Sequence, residues 1–211
     1  MPTKTSVSIS VVAAVLLIAA VSIRAGEKGY HLFLAGDYMA AHAALIDNAN
    51  AGDGFAAYLN GKAEETRLLG QQRAETALAS YRQAAELGFL DGAIMEYRLA
   101  ARLAEYSPKA CEEFKKVLEW GARAGNLTAA AHGGEFYTSH HCGPADPVTA
   151  ARYFGLAARL DRRLGTKLDG LLAMLSGDIL NEAKQAAQMR FQPFTRQSMM
   201  DRYRALKAGA N

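Results

Sequence analysis

Four times along this chain a run of small and apolar residues stops at a helix-ending residue: Gly52, Gly88, Gly125 and Asp161, at intervals of 36, 37 and 36 residues. A near-fixed period of this length marks a stack of helical hairpins. Glycine and aspartate are expected to end each helix because they tolerate the left-handed backbone that satisfies the last carbonyls. Proline is scarce at 5 residues, and almost no stretch alternates apolar with polar, so the chain reads as all-α rather than mixed.

After each ending a second helix begins, over residues 55–69, 90–105, 127–139 and 165–175. Ala57, Ala93 and Ala130 occupy matching positions in these helices, and so do Gly61 and Gly134, with Tyr97 between them. Small residues there let neighbouring helices approach closely. Ser107-Pro108 and Asp146-Pro147 read as an N-cap followed by a first-turn proline. A further helix is expected over 171–191, interrupted near Ser176-Gly177-Asp178 and broken by Pro193. The last segment, 197–208, is either a short helix or a frayed tail. The organisation expected is a signal peptide or anchor over 1–25, a repeat array over 26–176, and a capping helix with a basic tail over 177–211.

The run from Gly143 to Ala158, with Asp146, Ala150, the aromatic pair Tyr153-Phe154 and the small pair Ala157-Ala158, resembles the Sel-one-like repeat, a relative of the tetratricopeptide repeat. The stretch from Ala130 to Tyr137 resembles that family's first helix, and Ala77 to Gly88 its second. The resemblance covers Asp37 to about Leu175 and departs from the pattern between Tyr97 and Cys111, where the glycine pair is missing, and at Trp120-Gly121. It implies an α-α superhelix of about four helix hairpins that binds other proteins, often outside the bacterial cytoplasm.

The first 25 residues are of another kind. Lys4 precedes an uncharged, largely apolar run over 7–23, and Ala25 suits the residue before a cut at Gly26. The run also approaches the length of a spanning helix, so export with cleavage and a retained single anchor both stand. Only Lys4 and Arg24 leave with this segment, so the net charge of +3 drops by two. A near-neutral protein has no long-range field for collecting nucleic acid, and none is expected as a partner. Basic residues do gather late, at Lys184, Arg190, Arg196, Arg202, Arg204 and Lys207, against Glu182 and Asp201. They read as a solvated face, or as a contact to an acidic partner or the anionic inner-membrane surface. Cys111 and Cys142 form an even pair almost one repeat apart, which suggests a disulfide in an oxidising compartment; two separate thiols are the alternative.

No catalytic arrangement emerges. His140-His141-Cys142 is the one cluster with metal-ligand chemistry, but it lacks a fourth ligand at suitable spacing. Gly133-Gly134 is followed by no Gly-Lys-Ser or Gly-Lys-Thr. Neither metal nor cofactor is expected. The sequence reads as a periplasmic or secreted, non-enzymatic adaptor or regulator for a protein or peptide partner; the alternative is a membrane-anchored accessory or structural subunit of an envelope complex. Stacked hairpins curve, and one helix of each pair lines the inner face. Tyr58, Glu65, Tyr97, Arg98, Arg102, Glu135 and Tyr137 are the side chains expected to project there.

Overall fold

The computed structural model describes residues 28–66, 68–70 and 73–209; the apolar segment 7–23 and the cut before Gly26 lie outside them. Every regular element among the described residues is a helix. The chain forms two compact units that meet between Phe89 and Leu90. In the first unit, α1 covers described residues 28–34, followed by α2 (Tyr38–Asn50), α3 (Gly54–Glu65) and α4 (Ala74–Glu86). The second unit holds α5 (Leu90–Leu103), α6 (Pro108–Arg123), α7 (Leu127–Thr138) and α8 (Pro147–Leu160). A 3-10 turn over Arg162–Leu164 leads to α9 (Gly165–Ala173), α10 (Gly177–Gln188) and α11 (Arg196–Lys207). No described helix is long and apolar enough to cross a membrane.

The expected stops account for three of the four endings. Gly52, Gly88 and Gly125 have φ of 98°, 83° and 70°, the left-handed region where a side chain would be strained. Asp161 corrects the expectation. It ends α8 in extended backbone, φ −143°, and its carboxylate accepts the Arg163 amide to start the 3-10 turn. Asp146 accepts the Thr149 amide as an N-cap should, whereas Ser107 makes no side-chain cap and α6 starts on Pro108 alone. Between α5 and α6 the chain turns through two left-handed residues that are not glycine, Glu105 (φ 49°) and Tyr106 (φ 54°).

Glycine packed against an aromatic ring recurs in both units. A Cβ built on Gly61 of α3 would lie 2.7 Å from the Tyr81 ring of α4. On α7 the pair Gly133-Gly134 receives the aromatic pair of α8: added Cβ atoms would lie 2.1 Å from Tyr153 and 2.3 Å from Phe154. Burying a ring of that size contributes roughly 2–3 kcal/mol, and only a missing side chain opposite makes room for it. Ala57, Ala93 and Ala130 are fully buried. Consecutive helices pack on each other within each unit, α2 on α3 and α3 on α4, then α5 on α6, α6 on α7 and α7 on α8.

The C-terminal region is built into the second unit. The expected 171–191 helix is two helices divided at Ser176-Gly177, and α10 ends at Gln188, before Pro193. Its backbone presses on α8 so closely that a Cβ at Gly155 would lie 2.1 Å from the Ala187 carbonyl oxygen. The last segment is a packed helix rather than a frayed tail: Met199, Met200, Tyr203 and Leu206 of α11 are buried, and α11 lies against α5 and α6.

Candidate functional site

The residues expected to project divide by burial. In the first unit Tyr58 is half-buried among Phe55, Tyr81 and Phe89, with ring centroids 5.2–6.4 Å away. Glu65 is 6% exposed and accepts the Tyr81 hydroxyl at 2.9 Å. In the second unit Tyr97 is 7% exposed and meets Tyr203 edge-on at 6.2 Å. Glu65 and Tyr97 therefore do not project as expected. A hydroxyl partner and an aromatic neighbour from other helices absorb them into the packing. Arg98 and Arg102 are half-buried and Glu135 is exposed. Tyr137 is half-buried and stacks on Tyr153 at 5.5 Å; burial pushes its hydroxyl up to about 12 and that of Tyr153 further still.

Two clefts of the second unit gather some of these residues. One of about 250 Å³ brings Arg98 and Glu135 together with Tyr106, Phe114, His132 and His141. Here His132 Nδ1 lies 2.9 Å from the Glu135 carboxylate, which also receives the Lys167 ammonium. The His132 hydrogen bond, with Lys167 behind it, holds the Glu135 carboxyl at about 2. The expected His140-His141-Cys142 cluster is dispersed to other tasks. Cys142 is disulfide-bonded to Cys111, Cα atoms 5.6 Å apart, and His141 stacks on Tyr106 with 4.4 Å between centroids. Among the described residues no three His, Cys, Asp or Glu side chains gather as metal ligands.

The other cleft, of about 360 Å³, contains Tyr137, Glu119, Arg123, Arg152, Tyr153 and Phe191. Its wall is a stretch of the chain itself. Residues 189–195, between α10 and α11, have no helical or strand structure and lie over α6 and α8. Three arginines hold this strap, and the last turn of α10 that leads into it, by backbone carbonyls. Arg159 donates from Nη1 to the Ala187 carbonyl at 2.6 Å and from Nη2 to that of Met189 at 3.1 Å. Arg152 Nη2 donates to the Arg190 carbonyl at 3.2 Å, and Arg123 Nε to that of Gln192 at 3.1 Å. The Phe194 amide donates back to the Arg123 carbonyl at 2.7 Å.

The same guanidinium groups cover the strap's aromatic rings. Arg152 lies 4.1 Å from the centroid of Phe191, and Arg123 3.5 Å from that of Phe194. Arg202 of α11 also reaches Phe194, 4.8 Å from its centroid. Cation–π contacts of this kind contribute roughly 0.5–2 kcal/mol each, more as water is excluded. Tyr153 meets Phe191 edge-on at 5.0 Å. Arg152 Nε is buried and has no hydrogen-bond partner among the described residues. None of Arg123, Arg152 and Arg159 stands out in the sequence, because on a helix each looks like part of a solvated face. The one available signal is that Arg152 and Arg159 lie seven residues apart, two turns along one face.

An all-helical protein built of glycine–aromatic hairpins, with a backbone-gripping arginine face in its second unit, is the class these observations define. No family model matches the sequence. No curated protein matches it either. Among solved structures the chain is similar to a protective antigen present in uropathogenic Escherichia coli strains, described as displaying an SLR fold. The identity is 18% over 88% of this chain and 48% of that one, with a TM-score of 0.34. The chain thus spans about half the length of that protein.

Proposed function

We propose that this protein is a non-enzymatic, Sel-one-like adaptor that works outside the cytoplasm and binds a protein or peptide partner. One observation carries the reading: α6 and α8 already hold an irregular, non-helical peptide stretch through three arginines, each on one of its carbonyls. That is the task a peptide-binding helical scaffold performs on a partner. The Cys111–Cys142 bridge supports an oxidising compartment, periplasmic or secreted. The resemblance of Gly143 to Ala158 to the Sel-one-like repeat supports the family.

The test is site-specific photo-crosslinking in the envelope fraction, with the crosslinker placed on the α6–α8 face at Glu119 and, as a control, on α10 at Asp178. The expected result is a discrete adduct from Glu119 and none from Asp178. Equal or absent labelling from both positions sinks the adaptor reading. The apolar run over 7–23 favours a second reading, an anchored accessory subunit. Intact mass separates the two: a chain starting at Gly26 supports the free adaptor, and one retaining residues 7–23 the anchored subunit.

A further inference from the structure

The strap is chemically particular. Gln192 and Pro193 face solvent, while Phe191 and Phe194 are half-buried under arginine. Pro193 has no N–H to leave unsatisfied and biases Gln192 toward extended backbone. The face therefore reads backbone carbonyls, which any sequence offers, plus two aromatic rings three residues apart. The strap does not saturate it. Arg152 Nε remains buried without an acceptor among the described residues, and the cleft beside it stays open. A buried donor left unmet is unfavourable, and a ligand bringing one more acceptor would satisfy it.

We propose that the Arg123–Arg152–Arg159 face is a peptide-binding site which the chain occupies with its own residues 189–194. Its partner is an irregular or extended segment of another protein with two aromatic residues three positions apart and a proline before the second. The inference rests on the adaptor reading and adds to it both the class of ligand and a mode of control. The strap acts as a competitor in cis, and its covalent attachment gives it a high effective concentration. A partner binds with its affinity reduced by the fraction of molecules whose strap is open. Both ends of the strap run into packed helices: α10 against α8, and α11 held through its buried face. Opening as proposed lifts the strap from Arg123 and Arg152 and leaves the packing of these flanking helices in place.

The test uses the full chain and a blocked peptide with the sequence of residues 189–195, Met-Arg-Phe-Gln-Pro-Phe-Thr, carrying a fluorophore. The peptide is expected to bind the Phe191→Ala/Phe194→Ala chain at least about tenfold more tightly than the unaltered chain, since the cis competitor is weakened. Adding Arg123→Ala and Arg152→Ala is expected to abolish that binding, as is replacing both phenylalanines of the peptide. Circular dichroism shows whether the variants keep their helices. If the double variant does not fold, the unaltered chain decides: saturating peptide is expected to remove hydrogen-exchange protection from the Phe194 amide. Equal affinity for both folded chains, or unchanged Phe194 protection at saturation, overturns the proposal. A Glu119 adduct that survives when the peptide is silent would retain the adaptor and discard this ligand. Peptide binding without any envelope adduct would do the reverse.

Discussion

The Tyr203 hydroxyl donates to Glu96 Oε2 at 2.6 Å across 107 residues of sequence, and this bond fixes the last helix to the start of the second unit. Glu96 is 3% exposed, and its other oxygen takes the Lys207 ammonium at 2.8 Å. Both partners come from α11, one turn apart: Tyr203 is buried and Lys207 is partly exposed. A buried carboxylate survives only with its donors present.

Removing the acceptor is therefore expected to release α11. Glu96→Ala should lower unfolding stability by about 2–3 kcal/mol, because it leaves the buried Tyr203 hydroxyl without its acceptor and removes the Lys207 ion pair, whose ammonium is 35% exposed and returns to solvent. Tyr203→Phe should cost about 1–2 kcal/mol, since Lys207 still neutralises the acid. Urea titrations give both values. Trp120, the one tryptophan, lies 6.0 Å from Arg202 of α11 and reports undocking by fluorescence. Equal losses for the two substitutions would show that the ion pair plays no part.

Two helical glycines should respond oppositely to one added methyl. At Gly155 the new Cβ would enter the space of the Ala187 carbonyl at 2.1 Å, with backbone rather than a flexible tip in the way. Gly155→Ala is expected to destabilise by about 3 kcal/mol or more as α10 is pushed off α8. At Gly170, inside α9, nothing lies within 4 Å. There Gly170→Ala should stabilise by about 0.5–1 kcal/mol, by restricting the unfolded chain and favouring helix. Thermal melts of the pair, read against each other, check both signs.

What the sequence made legible follows from local physics. Gly52, Gly88 and Gly125 could be placed because a positive φ requires glycine. Ala57, Ala93 and Ala130 could be aligned because close helix contact demands a small side chain. The turn at Glu105-Tyr106 gave no such signal, because surrounding structure imposes a left-handed backbone on residues that do not prefer it. Burial of Glu65 and Tyr97 depends on Tyr81 and Tyr203, on other helices. The strap was hidden for a further reason: most of what the arginines bond is carbonyl oxygen, which every residue has. The basic residues read as a tail are partly absorbed, Lys207 by Glu96 and Arg204 by Asp201.

Acid should loosen the second unit through Glu135. Its carboxyl lies at about 2, below the ordinary value of 4.5, chiefly through the His132 hydrogen bond. A depressed acid contributes stability above its unfolded value and loses it as pH falls through the folded one. The contribution is thus complete above pH 4.5 and fades between there and pH 2. Glu135 is 45% exposed, so solvent screening limits it to less than about 1 kcal/mol. The stability gap between the unaltered chain and Glu135→Gln, followed by urea titration from pH 6 to pH 2, should close across that window. A constant gap would mean that neither His132 nor Lys167 acts on this carboxylate.

The bridge between Cys111 and Cys142 closes a 31-residue loop that contains all of α7. On the chain-entropy account, a loop of that length stabilises by about 3–4 kcal/mol by restricting the unfolded state. It also sets the far end of α7 against the start of α6, where Tyr106 and His141 stack nearly parallel, 8° between planes. Cys111→Ser/Cys142→Ser, or reduction of the unaltered chain, is therefore expected to lower stability by that amount. Hydrogen exchange should rise first over residues 104–107 and 139–146 rather than in α8, which the glycine–aromatic contacts still hold. Mass spectrometry of unreduced protein should show no free thiol. Two free thiols, or a double serine variant as stable as its parent, would leave the two cysteines as separate packing residues.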